Sequence, residues 1–466
     1  MPPERAPARR GGPMQPFRLH VFVCDQQKPE GVPGCAARGS GRTLEALRRE
    51  VAARGLADEV QVTACGSIGL CERGPNVVVY PEGTWYSGVL PPDVPEIVES
   101  HFRQGRPVAR LMNADPALVA AEIRGNRDRF LAAQRARDAA GTLPDDLNQL
   151  VRGFQESRVV LTALELDVFT AASEGSTAGE VAARIGADAR GTETLLNALA
   201  SMGLLAKADG RFEPTPVTRR YFTAGSRDDA RAALLHQSSL WERWSHLTES
   251  VRTGKPADAS EMASRGDGWT RPFIAAMHRG ASERAPHVVR AVGTDGVRRM
   301  LDVGGGSGAY AIAFVEASPD LAAEVLDLPP VLPITEEHVR AAGLTGRVTT
   351  RTGDLRADDF GNDYDLVLLS AICHMLGPDE NRDLLRRCHA ALGPGGRLVV
   401  SDFLLDEDKA GPRSAALFSV NMLVGTRDGA SWSEGEYRAW LEEAGFSSVE
   451  RVRLPGPAHL LIARRG

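Results

Sequence analysis

The stretch from Met300 to Gly308, Met-Leu-Asp-Val-Gly-Gly-Gly-Ser-Gly, constrains the fold of this chain more than any other. The apolar residues Met300, Leu301 and Val303 read as a buried strand. A helical pattern over 309–316 follows the glycines at once. Glycine lets a backbone turn tightly and approach a ligand, and a helix N-terminus offers unpaired N–H groups. Strand, glycine-rich turn and helix in that order open a nucleotide-binding α/β domain. Any tight βα turn can be glycine-rich, so the motif alone is a weak signal. Two later features strengthen it. Residues 323–327 read as a second strand ending in Asp327, where nucleotide folds place a ribose ligand, and Gly353-Asp354 follows a third strand-like run over 347–350.

The 466 residues have room for about three domains. A net charge of −6 demands neither a nucleic-acid nor a membrane partner, and no apolar run is long enough for a span. Residues 1–16, rich in Pro, Arg and Gly, lack the apolar stretch of a secretory signal and read as a disordered tail, in which Met14 is an alternative start. The expected location is cytoplasmic.

In a reducing compartment, clustered cysteines argue for a metal site over disulfides. Cys24, Cys35, Cys65 and Cys71 all fall in the first hundred residues, far from Cys373 and Cys388. Around them the pattern predicts a strand over 17–23, an amphipathic helix from Thr43 to Arg54, a strand at 60–63, a hairpin over 77–86 and a helix from Pro92 to Phe102. The cysteine pairing and the run Cys-Glu-Arg-Gly-Pro-Asn-Val-Val-Val-Tyr-Pro-Glu-Gly-Thr-Trp-Tyr (71–86) are similar to the thioredoxin-like [2Fe–2S] ferredoxins over 17–108. The resemblance implies that Cys24, Cys35, Cys65 and Cys71 hold a [2Fe–2S] cluster, two thiolates per iron. It also implies a redox partner, or a docking or sensing role. The family places three residues between its last two cysteines. Here there are five, and Ser67 stands in the expected position, so Cys65 is read as a displaced third ligand. A zinc site and a fold without a metal are the other readings. Zinc pairs are usually two to four residues apart, which speaks against the ten between Cys24 and Cys35.

Residues 109–144 read as a helical linker with a solvated charged face. From Asp145 to 295 the pattern is strongly helical. Capped helices at 176–185 and 192–202, then a hairpin around Asp209-Gly210, suggest a winged helix. The 192–202 helix has no Arg or Lys to reach bases or phosphates, so DNA binding is the weaker use of it. Trp269, Phe273 and Met277 recur at helical spacing, which by periodicity alone is more often core than pocket wall.

From 296 to 466, strands near 300, 323–327, 347–351, 364–370 and 396–403 alternate with helices. A capping box at Ser433–Glu436 opens a last helix, and strands around 447–453 and 458–463 close the sheet.

Residues 145–466 resemble the bacterial and plant S-adenosylmethionine-dependent small-molecule O-methyltransferases. The resemblance lies in the Leu-Asp-Val-Gly-Gly-Gly-Ser-Gly turn, the Gly353-Asp354 pair and a histidine after the fourth strand. It implies an α/β multidomain chain with a mostly α winged-helix dimerisation domain, hence a homodimer, and a Rossmann-like class I methyltransferase domain. By position, Gly304, Gly306 and Gly308 approach the methionine and ribose of the donor. Asp327 accepts from the ribose, Asp354 and Leu355 lie beside the adenine, and Asp302 braces the turn. His374 matches the general base and Asp402 its acidic partner. The family's further glutamate is replaced by Ser431. The implied acceptor pocket takes in Trp269, Phe273, Met277, Met375, Phe418 and Met422, which suits an aromatic or polyprenyl-like hydroxyl compound.

For Cys373, a buried structural thiol is the better reading than a nucleophile, since no oxyanion motif accompanies it. Radical use of the donor has no Cys-x3-Cys-x2-Cys triplet to support it. The expected function is therefore S-adenosylmethionine-dependent O-methyl transfer to a small-molecule hydroxyl. The alternatives are an oxidoreductase that uses the cluster for electron transfer with S-adenosylmethionine as a bound ligand, and a winged-helix regulator.

Overall fold

The computed structural model describes residues 16–28, 33–113, 115–141, 143–257 and 267–466; the side chains at 137, 138, 145 and 267–269 are outside that description. The expected N-terminal tail, Met14 included, falls almost wholly outside the described residues. The chain divides into two compact units, 1–153 and 154–466.

In the first unit, β1 (Leu19–Cys24) lies between β2 (Val60–Cys65), parallel to it, and β3 (Asn76–Tyr80), antiparallel; β4 (Thr84–Ser87) pairs with β3 at the edge. A parallel pair needs a crossover connection, here the helix Ser40–Ala53. Its Leu44, Leu47 and Val51, one face at helical spacing, bury against Val21, Val23 and Val79 of the sheet. The helix expected at 92–102 is broken into a 3-10 turn, a short α turn and a π-helical segment, Ile97–Arg103. Its wide turn still buries Ile97, Val98 and Phe102.

The expected linker does more than expose charge. Its helix, Pro116–Ala139, seats Ile123 over Gly69, sends Asn126 Nδ2 to the Gly69 carbonyl at 2.7 Å and pairs Glu122 with Arg73 at 2.5 Å. Gly69 has φ +88°, and a Cβ there would lie 2.9 Å from Ile123. Bare backbone at that position therefore lets the helix rest on the loop between Cys65 and Cys71.

The second unit begins within the helix Asp145–Glu165. Helices Ala178–Ile185 and Ala189–Ser201 follow, the first closed by the Thr177/Glu180 capping box, with a small sheet of β5 (Ser176–Thr177), β7 (Arg211–Pro214) and β6 (Leu205–Ala208) beside them. Two long helices, Arg231–Ser245 and Asp267–Val292, lead into the α/β part.

There, seven strands run in the order β10 (Val348–Thr352), β9 (Ala322–Asp327), β8 (Arg299–Val303), β11 (Tyr364–Ser370), β12 (Leu392–Asp402), β14 (His459–Arg465), β13 (Phe446–Val452). The first five are parallel and β14 is antiparallel to both its neighbours. Helices cover both faces, and two separate apolar clusters bury them. The strand order reverses between β8 and β11. A ligand crevice is expected outside the carboxyl ends of the strands at such a reversal, and the glycine turn and His374 both leave the sheet there. No described helix is long and apolar enough to cross a membrane.

Candidate active site

β8 hands its chain to a turn in which Gly304, Gly306 and Gly308 all have positive φ, between +59° and +74°. Gly304 must also be bare. A Cβ on it would meet Ile372 Cδ1 at 2.5 Å, with Leu355 Cδ2 at 3.6 Å. Asp327, at the end of β9, ties the turn down: its carboxylate accepts from the Gly306 N–H at 2.8 Å and from the Leu328 N–H at 2.7 Å. Thr335 Oγ1 donates to the Gly306 carbonyl at 2.6 Å.

Asp302 was expected to brace this turn. It lies under Gly305 of that turn, close enough that a Cβ there would fall 2.7 Å from its Cγ, and neither of its buried oxygens has a well-formed hydrogen bond. Burial, with the Asp327 charge adding to it, pushes its carboxyl up to about 7; the poorly aligned Ala311 N–H offsets only part of this. Asp354 accepts from the Arg356 N–H at 2.8 Å and lies with Leu355 beside the turn's outer wall.

After β11, a single 3-10 turn at Cys373–Met375 carries His374. Its Nδ1 lies 2.7 Å from Asp402 Oδ1 at the end of β12. Asp402 is otherwise saturated: it accepts from the N–H groups of His374 and Phe403 and from the Tyr437 hydroxyl. His374 Nε2 makes no hydrogen bond among the described residues, and the residue borders the cavity. The Phe418 ring meets the imidazole edge-on at 4.8 Å and stacks on Phe403 at 4.0 Å. Ser431 does not take the place of a second acid: its hydroxyl donates to the Ala415 carbonyl. Cys373 is wholly buried and its thiol is pushed well above the usual range by that burial, which fits a structural thiol.

These pieces share one cavity of about 1880 Å3. Asp302, Gly304, Gly306, Asp327, Asp354 and Leu355 border it, as do His374, Met375, Phe418 and Met422. Phe273 and Met277 line it too, so the stripe that periodicity read as core is a cavity wall. The Trp269 side chain lies outside the described residues. Gly308 does not line the cavity and serves as the N-cap of the helix Ala309–Ala317, while Asp402 sits behind His374.

Sequence reasoning missed several residues here. Tyr437, which supports Asp402, gives no sign of it in a helix that reads as surface. Trp244 donates to Asn421 Oδ1 at 2.9 Å across 177 positions, and Arg243 and His236 join the lining from a helix with no motif. His278 holds Ser307 Oγ at 2.8 Å and stacks on His338 at 3.9 Å, again across elements far apart in the chain.

Of the four cysteines of the first unit, Cys24 and Cys65 end strands and Cys35 and Cys71 begin 3-10 turns. Cys24 and Cys65 stand in register on β1 and β2. The neighbouring Cys35 thiol lowers Cys24 to about 6, while Cys24 and burial raise Cys35. Asn76 Nδ2 also donates to Cys35 Sγ, whereas Cys71 Sγ meets Ser67 Oγ at 3.2 Å. Among the described residues no group of three or more His, Cys, Asp or Glu side chains is arranged to hold a metal ion. The Cys35 and Cys71 thiols make pairwise contacts with Asn76 and Ser67, respectively.

The chain matches the O-methyltransferase domain family over residues 244–447 and the O-methyltransferase dimerisation domain family over 148–224. The 3-hydroxy-5-methyl-1-naphthoate 3-O-methyltransferase of Streptomyces sahachiroi is 37% identical over 320 residues, which cover 67% of this chain and 92% of that protein. The tetracenomycin polyketide synthesis 8-O-methyl transferase of Streptomyces glaucescens is 30% identical over 330 residues, 69% of this chain and 97% of that protein. The solved structure of human N-acetylserotonin methyltransferase in complex with S-adenosylmethionine is similar at a TM-score of 0.63 and 27% identity, over 70% of this chain and 99% of that one. Likeness of this degree over nearly the whole length of such relatives has one meaning for the family: the chain belongs to the S-adenosylmethionine-dependent small-molecule O-methyltransferases.

Proposed function

We propose that this chain methylates a hydroxyl group of an aromatic small molecule, with His374 as the general base and Asp402 as the group that orients it. The observation that carries the reading is the 2.7 Å contact between His374 Nδ1 and Asp402 Oδ1 on the cavity that also takes in Gly304 and Gly306.

The residues present fit the donor. A glycine at 304 leaves a space that a Cβ would fill, the two orphaned Asp302 oxygens suit a cationic neighbour, and the Asp327 carboxylate keeps acceptor capacity for ribose hydroxyls. Asp354 and Leu355 are the adenine-side residues of this reading. When bound, S-adenosylmethionine supplies a methyl group on a positively charged sulfur.

The chain's own residues do the rest. With its proton on Nδ1 and donated to Asp402, His374 presents the Nε2 lone pair to the cavity. It takes the acceptor's hydroxyl proton as the oxygen–carbon bond forms and the sulfur–carbon bond breaks. General-base help of this kind contributes on the order of 100- to 10,000-fold. Phe418, Phe403, Met375, Met422, Phe273 and Met277 hold an apolar acceptor in line and exclude water. The names of the relatives support an aromatic acceptor: one acts on a hydroxylated naphthoate, another in tetracenomycin polyketide synthesis. The test is label transfer from methyl-labelled S-adenosylmethionine to a panel of phenols and naphthols. Label in an ether product supports the reading; donor binding with no labelled product across the panel sinks it.

The dimerisation-family match and an exposed apolar row on the helix Asp145–Glu165 support a homodimer. The domain limits proposed are 17–108, 109–144, 145–295 and 296–466. The 17–108 segment is read as a thioredoxin-like [2Fe–2S] ferredoxin module. Its motif at 71–86 and the β2-β1-β3-β4 order support that reading. The methyl transfer described above needs no cluster. Iron and acid-labile sulfide in anaerobically purified protein decide the point: about two of each per chain support the cluster, and neither present removes it.

A further inference from the structure

One charge on the cavity wall has no part in the reaction described above. Arg243, on the helix Arg231–Ser245, lines the cavity, and its guanidinium has no hydrogen-bond or ion-pair partner among the described residues. Its position is set from two sides. The neighbouring Trp244 is tied to Asn421 of the helix Arg413–Gly425, and Gly425, the last residue of that helix, leaves room for the guanidinium, since a Cβ on it would stand 3.4 Å from Nη1. The same helix carries Phe418, whose ring touches His374. Seven residues separate Phe418 from Gly425, so the guanidinium lies on the order of 10 Å along the helix from the base.

Asp428 and Glu380, two acids of the lining beyond Gly425, are already engaged. Arg427 pairs with Asp428 at 2.7 Å and approaches Glu380, and Arg356 holds Glu380 at 3.1 Å. His236, facing Arg243 from its own helix, is held toward the neutral form by burial and by the arginine's charge. An unpaired guanidinium on a largely apolar wall is costly unless an anion meets it. Planar guanidinium against carboxylate is the pairing with the best geometry.

We infer that the acceptor is an aromatic hydroxy acid, and that Arg243 binds its carboxylate about one fused-ring length from the hydroxyl presented to His374. The inference rests on the aromatic-acceptor reading above and adds an anion to it. The donor also carries a carboxylate, so donor affinity is measured in the Arg243 variants as well. A second guanidinium with no hydrogen-bond or ion-pair partner among the described residues, that of Arg284, lines the cavity from the helix Asp267–Val292.

The test is calorimetric binding of hydroxynaphthoates, and of the naphthols that lack the carboxylate, to protein loaded with S-adenosylhomocysteine. The expected result is tighter binding of the acids by on the order of 10- to 100-fold. Arg243→Ala should erase that preference and Arg243→Lys should keep part of it, with S-adenosylhomocysteine affinity unchanged in both. Equal affinity for the two series, no binding of either, or a preference that survives Arg243→Ala overturns the inference. So does a loss confined to S-adenosylhomocysteine affinity, which would assign Arg243 to the donor carboxylate. Label transfer is measured in parallel: carboxylate-dependent binding without methylation would sink the methyltransferase reading and leave the anion site standing.

Discussion

His374 Nδ1 stands 2.7 Å from Asp402 Oδ1, and the other Asp402 oxygen accepts from the His374 backbone N–H and the Tyr437 hydroxyl. One carboxylate thus fixes both the backbone and the ring of the histidine, while the Ser431 hydroxyl is turned to the Ala415 carbonyl. Asp402→Asn keeps the shape and removes the acceptor that selects the tautomer. The turnover number should fall by on the order of 100-fold or more while the KM for S-adenosylmethionine holds. A variant with wild-type turnover would mean that Tyr437 and packing alone position the ring.

Gly304 combines a positive φ with a neighbour that a Cβ would strike. Gly343 also has positive φ, at +72°, with nothing near it. Both Gly304→Ala and Gly343→Ala should lose about 1 kcal/mol or more of stability to backbone strain. Only Gly304→Ala should weaken S-adenosylhomocysteine binding, by roughly tenfold or more, as the turn shifts away from Ile372. Equal donor affinity in the two variants would separate this turn from donor binding.

Asp302 supplies a pH prediction. Its folded-state carboxyl titrates near 7, well above the unfolded range. Its stabilising contribution is therefore fully present below the unfolded value and is lost as pH rises through the folded one. Without donor, the wild-type melting temperature should drop from about pH 5 to about pH 8 more steeply than that of Asp302→Asn, which cannot ionise. Parallel pH profiles would contradict this.

Leu150 and Phe154 lie one turn apart on the helix Asp145–Glu165 and are 65% and 57% exposed. Exposed apolar rows of this kind are covered in symmetric dimers. Light scattering should give the wild type twice the mass of one chain, and Leu150→Glu with Phe154→Glu should shift it to one chain without unfolding. A wild-type monomer would remove the dimer.

How much of this was legible in the sequence differs between the halves of the site. The donor side is local. Gly304, Gly306 and Gly308 follow a strand within a few residues, and their positive φ values are what a glycine run at such a turn announces. Asp327 and Asp354 end the next two strands in order, so their spacing carries them to the same edge. The acceptor side is assembled from distant helices. Phe273 and Met277 show the same periodicity whether they face a core or a cavity, so the pattern could not separate the two. Arg243 has no motif at all, because what makes it notable is the lack of a partner, a property of the fold. The cysteines show the reverse case. Their clustering in the chain is plain, while the loops decide that Cys35 neighbours Cys24 and that Cys71 turns toward Ser67. The covering of Gly69 by Ile123 was hidden as well, because a helix rich in Arg and Ala reads as solvated from its charges.

The central claim is that His374 removes the acceptor's proton in a cavity that also binds the donor. The measurement that tests it most directly compares wild type with His374→Ala, pairing initial rates of label transfer from S-adenosylmethionine with calorimetric S-adenosylhomocysteine affinity. The account predicts a rate loss on the order of 100- to 10,000-fold with donor affinity within about twofold. A His374→Ala enzyme that transfers methyl at the wild-type rate, bound to donor as before, would contradict it.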